Sequence, residues 1–97
     1  VTPSLIIGQT AAYFGFTIEE ICGPSRNHAL VQARHIAMYL CRELTDLSLP
    51  NIGREFGGRD HTTVLAAYNK IKATMSEKRL YTKISELTLR IRHHQAP

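Results

Sequence analysis

Apolar residues recur at three- and four-residue intervals along nearly the whole chain, and this constrains the fold more than any other feature. A long helix over about 28–46 places Leu30, Ala33, Ala37, Leu40, Cys41 and Leu44, with Leu47 just beyond, toward a core. The same spacing relates Val64, Ala67, Tyr68, Ile71 and Met75, and again Leu80, Ile84, Leu87 and Ile91. Period-two alternation is missing, so the chain reads as all-α, a helical bundle of about six helices. The 97 residues fit one domain, 1–97, and 43% of them are hydrophobic. With no Trp and three Phe, the core is expected to be mainly Leu, Ile, Ala and Tyr.

Breakers and caps divide this pattern. Pro3 suits the first turn of a helix over roughly 3–14, which holds Leu5, Ile6, Ala12, Tyr13 and Phe14 and ends at Gly15. Thr17 with Glu20 forms a capping-box pattern opening a short helix, 18–22, stopped by Gly23-Pro24. A loop over 23–28 carries Arg26. Asp46-Leu47-Ser48 interrupts the long helix, and Ser48 can cap the next, with Pro50 in its first turn. Leu49, Ile52 and Phe56 line one side of it, while Gly53 leaves room for a close neighbour. Gly57-Gly58 can take the positive φ of a tight turn, and a further helix starts near Asp60. Ser76 is the expected cap of the last helix, and the polar tail RIRHHQAP is expected to fray.

The net charge is +4 and the pI near 9.4, a balance that suits a polyanion. Residues 1–23 carry only Glu19 and Glu20, so the excess of Lys and Arg lies after residue 23. Cys22 and Cys41 sit in apolar patterns and read as free thiols of a reducing compartment. They share no zinc-binding spacing with the histidines. No signal peptide and no membrane-spanning apolar run is visible, and a start at Val1 suggests a piece of a longer protein. Nucleophile-elbow, zincin and P-loop motifs are missing, and neighbouring Asp60 and His61 on a helix point about 100° apart. Catalysis by this chain is therefore not expected.

A short helix, a glycine turn and a longer helix over 48–75 make a helix-turn-helix pattern. The second helix opens on GGRDHTTV, residues 57–64, and its first residues are those that face base edges in such motifs. Asp60 can accept from a cytosine amino group, His61 can donate, accept or pack on a thymine methyl, and Thr62 offers a methyl and a hydroxyl. Thr63 can bond a phosphate. Asp60 is equally a good N-cap and Thr63 an ordinary first-turn residue. Arg34, Met38 and Arg42 are spaced by four, so the two arginines make a candidate phosphate clamp on one helix face, or simply a solvated face.

The stretch SLPNIGREFGGRDHTTVLAAYNKI, residues 48–71, closely resembles the C-terminal DNA-binding domain, domain IV, of the bacterial DnaA replication-initiator family. ARHIAMYLCRELTDLSLP, residues 33–50, extends the resemblance, which is loosest in the first helices and the tail. The resemblance implies a Trp-repressor-like helix-turn-helix in a helical bundle that binds double-stranded DNA at A·T-rich, asymmetric DnaA boxes of replication origins and some promoters. It implies that Asp60, His61 and Thr62 read bases in the major groove. By the same resemblance Leu49 and Pro50 would touch thymine methyls, Arg26 would enter the adjacent minor groove, and Arg34, Arg42 and Thr63 would hold phosphates. Arg59 and His35 complete the DNA-contacting set. An asymmetric box implies a monomer. ATP and Mg, and the oligomer, belong to the ATPase domain of the longer protein, and no cofactor is expected in this one. A bacterial cytoplasmic, nucleoid-associated location follows.

The sequence departs from the family's pattern at three places. His35 stands where the family often has glutamine, so a phosphate contact there is expected to be weaker or to depend on histidine protonation. Asn51 replaces the glutamate that would complete a capping box with Ser48, and the Arg26 loop is less basic than in many relatives. The family's first helix has been linked to acidic phospholipids, but residues 1–18 contain no Lys or Arg, which counts against membrane binding here. The competing readings are a dimeric helix-turn-helix repressor or transposase arm, and a helical module that docks on protein or membrane.

Overall fold

Side-chain caps set most of the helix boundaries in the computed structural model, which describes residues 1–94. Thr2 accepts from the Leu5 N–H (3.2 Å) to open α1 (Pro3–Phe14), and Gly15 closes it with φ 79°. The Thr17–Glu20 capping box is present in full, with bonds of 2.9 and 3.1 Å, and opens α2 (Ile18–Cys22). Asn27 accepts from Leu30 at the head of α3 (His28–Leu44). Ser48 and Asp60 cap α4 (Leu49–Glu55) and α5 (His61–Thr74), accepting from Asn51 and Thr62.

Two expected boundaries differ. α3 ends at Leu44, two residues early, because Thr45 turns its hydroxyl back onto the Cys41 carbonyl and accepts from the Leu47 N–H. The last helix, α6 (Lys78–His93), is preceded by Glu77 rather than Ser76, with no side-chain cap bond. Ser76 lies inside the turn that closes when the Glu77 N–H bonds to Thr74, so it sits one residue too early to cap. Among the described residues there is no strand, and no helix is long and apolar enough to cross a membrane.

α3 is the central post. α1, α2, α4 and α5 all pack on it, so it is buried on more than one side. Leu30, Ala33, Ala37, Leu40 and Cys41 are buried as their spacing predicts, while Leu44 and Leu47 sit at the edge of the core. Ile36, Met38, Tyr39 and Arg34 are buried as well. The expected exposed face of Arg34, Met38 and Arg42 therefore does not exist: Met38 is 0% and Arg34 5% exposed, and only Arg42 faces solvent.

α1 lies between α3 and α6 and buries Ile6, Ile7, Thr10 and Ala11. The Thr10 hydroxyl donates to the Ile6 carbonyl of its own helix, which satisfies it without a distant partner. Leu80, Ile84, Leu87 and Ile91 of α6 are buried as expected. Ile91 anchors the last turns, so residues 90–93 of the tail expected to fray are helical; 95–97 lie outside the described residues. Cys41 is buried and Cys22 half-buried, both as free thiols.

Phe56, fully buried where α4 meets the core, is expected to cost about 3–5 kcal/mol when replaced by Ala. Leu89→Ala, at a side chain 68% exposed, should stay within about 0.5 kcal/mol. Urea unfolding of the two variants checks the contrast; equal losses would mean that α4 is not seated as described.

Candidate nucleic-acid interface

The α4–α5 pair is held from behind by Ile52 and Phe56 of α4 and by Val64, Ala67 and Ile71 of α5, all buried. Between the helices the chain reverses over Gly57 and Gly58, with φ of 81° and 80°, a conformation that disfavours residues with a Cβ. Gly53 makes the reversal tight. Its carbonyl accepts from the N–H groups of Phe56 (3.1 Å), Gly58 (3.2 Å) and Arg59 (2.9 Å). A Cβ on Gly53 would fall 2.0 Å from the Arg59 carbonyl oxygen, so the close neighbour expected at this glycine is the turn's own backbone.

The turn delivers Asp60 in an extended conformation, φ −65° and ψ 148°, and α5 begins at once behind it. Asp60, His61, Thr62 and Thr63 are all exposed, while Val64 is 0% exposed. The helix therefore presents four polar residues at its N-terminus and keeps its apolar stripe inside. The Thr62 hydroxyl and N–H hold the Asp60 carboxyl below the usual carboxylate range, with a smaller contribution from His61. His61 Nδ1 lies 2.9 Å from Asp60 Oδ1. That contact corrects the expectation that these neighbours point apart: Asp60 is a non-helical cap, so the helical angle between successive side chains does not apply to it.

Behind this tip two arginines are turned inward. Arg34 of α3 donates from Nε to the Ile21 carbonyl (2.6 Å), from Nη1 to Ser25 (3.0 Å) and from Nη2 to Glu20 (3.1 Å). Arg59, in the turn, donates from Nη1 to the carbonyls of Cys22 (3.2 Å) and Phe56, and from Nη2 to that of Gly23. Both guanidinium groups border an open hollow of about 540 Å³ between the 23–28 loop and the start of α5, which Arg26, His35 and Thr63 also line. No acidic side chain lines it. Arg26 is exposed on the loop.

His35 is half-buried beside this hollow and also borders a smaller one with His28 and Lys70. Burial, and then the charges of Lys70, Arg34 and Arg59, lower its pKa below the ordinary 6.5. Lys70, which the sequence reading did not single out, adds a cation beside His35. Its signal was available, since it lies two helical turns beyond Thr63 on the same helix. Arg42 stands apart. It donates to the Leu47 carbonyl (3.2 Å) at the corner leading into α4, near half-buried Leu49 and exposed Pro50. Eight residues, about 12 Å of helix, separate it from Arg34, so the two form no clamp. The expected site residues thus divide into a tip (Asp60, His61, Thr62), a basic hollow (Arg26, Arg34, His35, Arg59, Thr63) and a corner (Arg42, Leu49, Pro50).

A buried-backed helix pair with a polar N-terminal tip beside a basic hollow defines a helix-turn-helix protein of the DNA-binding class. The family model described as "Bacterial dnaA protein helix-turn-helix" matches residues 3–71, and the chain belongs to that family. It is 57% identical over 95 residues to the chromosomal replication initiator protein DnaA of Cutibacterium acnes, covering 97% of this chain and 19% of that protein. It is 54% identical over the same length to the proteins of that name from Leifsonia xyli and Clavibacter sepedonicus, again covering 97% of this chain and 20% of each. The chain spans about a fifth of the length of these curated relatives.

Two outcomes are expected from this geometry. Gly53→Ala should destabilise by about 1–3 kcal/mol or more, because backbone must move, whereas Gly58→Ala has open space and should cost only the strain of its φ, about 1–2 kcal/mol. Urea unfolding orders the two, and an equal or reversed order would sink the account of the turn. His35, with its folded pKa below the unfolded 6.5, favours the neutral ring; its contribution is fully present above about pH 6.5 and is lost as pH falls through the lowered folded value. Between pH 7.5 and 5 the parent chain should lose more stability than His35→Gln, measured by urea unfolding at each pH.

Proposed function

We propose that this chain binds double-stranded DNA in a sequence-specific way, at the A·T-rich DnaA boxes of a bacterial replication origin, and does so as a monomer. The observation that carries the reading is the exposure of Asp60, His61, Thr62 and Thr63 on a helix whose Val64, Ala67 and Ile71 are buried. That arrangement is what a recognition helix needs: its N-terminal residues reach base edges while its other face is fixed to the body. Asp60, His61 and Thr62 read the major groove, and Leu49 and Pro50 rest on thymine methyls. Arg26, free on its loop beside the same tip, enters the adjacent minor groove, where narrow A·T stretches concentrate negative potential. Thr63, His35 and Arg42 face phosphates.

In a longer protein, ATP and Mg binding, ordered assembly and strand opening belong to other segments. This chain acts as the address reader, without a cofactor and without catalysis, on DNA of the bacterial nucleoid in the cytoplasm. The dimeric alternative draws on Tyr81 and Leu89, exposed on α6. Two apolar side chains two turns apart do not make a seam, and the monomer is the better reading. Residues 1–18, the segment at issue for acidic phospholipid, carry no Lys or Arg, which counts against membrane binding there.

Thr62→Ala is expected to cost about 1–3 kcal/mol on a duplex that the parent chain selects from random DNA, and almost nothing on a scrambled duplex. Arg42→Ala should weaken both duplexes alike and lower the salt slope by about one unit. Affinity titrations of both duplexes at several salt concentrations separate the two effects. Equal losses on both duplexes for Thr62→Ala would remove the base-reading role.

A further inference from the structure

We propose that Arg34 and Arg59 are positioning residues that hold the loop bearing Arg26 at a fixed distance from the α5 tip, so that the minor-groove and major-groove contacts act as one unit. The proposal rests on the reading of Arg26 and α5 given above and adds what couples them.

Residues 20–25 have little structure of their own. α2 is only five residues long and closes with the Gly23 N–H on the Glu20 carbonyl (3.2 Å), and the loop after it adds one weak bond, from the Asn27 N–H to Ser25 Oγ (3.4 Å). Its order comes from outside. Two guanidinium groups take the carbonyls of Glu20, Ile21, Cys22, Gly23 and Ser25, leaving only that of Pro24 outside the set. Ser25 is the residue directly before Arg26. Arg59 is the residue directly before Asp60, the cap of α5. One side chain therefore ties the start of the recognition helix to the base of the Arg26 loop, and Arg34 ties the same segment to the central helix. The backbone is fitted to this joint as well, since a Cβ on Gly57 would fall 2.5 Å from the Cys22 carbonyl oxygen.

The alternative role, direct phosphate binding, uses the same donors. Arg34 has spent Nε, Nη1 and Nη2 on carbonyls and is 5% exposed. Arg59 has placed both terminal nitrogens on three carbonyls. A lysine keeps the charge of either residue but lacks the planar fork that reaches several carbonyls at once. Charge and brace can thus be separated by a single substitution.

The test is a double-mutant cycle on the 97-residue chain with Arg26→Ala and Arg59→Lys, using a short duplex selected by the parent chain from random DNA. Dimethyl sulfate footprints add a second readout, because adenine N3 reports the minor groove and guanine N7 the major groove. Arg26→Ala and Arg59→Lys should each weaken binding about tenfold. Each should lose minor-groove protection and keep major-groove protection, and the double variant should fall within about twofold of the weaker single. Should Arg59→Lys fail to fold, Gly23→Ala disturbs the same joint from the loop side with both arginines intact, since its Cβ would lie 2.8 Å from the Glu19 carbonyl; the same split footprint is expected. Losses that multiply in the double variant, or a loss of both grooves together in a folded Arg59→Lys, would overturn the brace. An Arg26→Ala chain with unchanged affinity and protection would instead remove the minor-groove reading of Arg26, and the brace with it.

Discussion

The carbonyl of Gly53 accepts three N–H groups in a space that admits no Cβ, and the presentation of α5 follows from that contact. A helix end leaves its last carbonyls without intrahelical partners. Here one of them is used to fold the next residues back on the helix that they have just left. The reversal requires Gly57 and Gly58 in left-handed conformations and sets Arg59 against the α4 backbone. Asp60 then emerges extended and caps α5, whose Val64 closes against Gly53. The direction of the polar tip is thus set by backbone packing at one glycine, not by the polar residues themselves.

The inward arginines solve a different problem. Removing a guanidinium from water is costly unless each donor finds an acceptor. A five-residue helix cannot persist alone, and its last carbonyls need donors and carry partial negative charge. Arg34 and Arg59 meet both needs at once, and bonds from a charged donor are stronger than those between neutral groups. The cations lose water but gain carbonyls, and the carbonyls gain donors that the short α2 cannot supply. Cys22 shares this neighbourhood, and burial raises its thiol pKa more than the two arginines lower it, so it behaves as a packing group.

What could be read in the sequence was what acts over three or four residues. The Thr17–Glu20 box, the Ser48 and Asp60 caps, the glycine turn and the α6 stripe are local patterns that appear where their spacing puts them, and of the α5 stripe Val64, Ala67 and Ile71 are buried while Tyr68 and Met75 sit at the edge of the core. The exposed position of Asp60 to Thr63 at the head of α5 was legible for the same reason. Arg34 was not. Its partners lie nine to fourteen residues away on a loop whose path no local rule dictates. α3 misled for a related cause. A stripe reading assumes one buried face, but four helices surround α3, so Met38 and Ile36 are as buried as Leu40. The Ser76 cap failed by one residue, because the Thr74–Glu77 turn holds Ser76 one position short of the cap and leaves Glu77, which makes no side-chain cap bond, in that place.

Asp60 carries the remaining tension. In the proposed complex a carboxylate at the tip of α5 would face a polyanion, and its repulsion would oppose binding to every sequence. The Thr62 hydroxyl and N–H, together with His61, hold it ionised, so protonation does not relieve the conflict. In the proposed complex this is useful. The carboxylate keeps its bonds to Thr62 and His61, and its remaining lone pairs would gain a donor only where a base presents an amino group; opposite acceptors such as N7 or O6 they would meet repulsion instead. The cost therefore falls mainly on wrong sequences, which is how repulsion creates selectivity. In that complex the basic hollow beside the tip, with no acid in its lining, would supply the general attraction that lets the tip be discriminating.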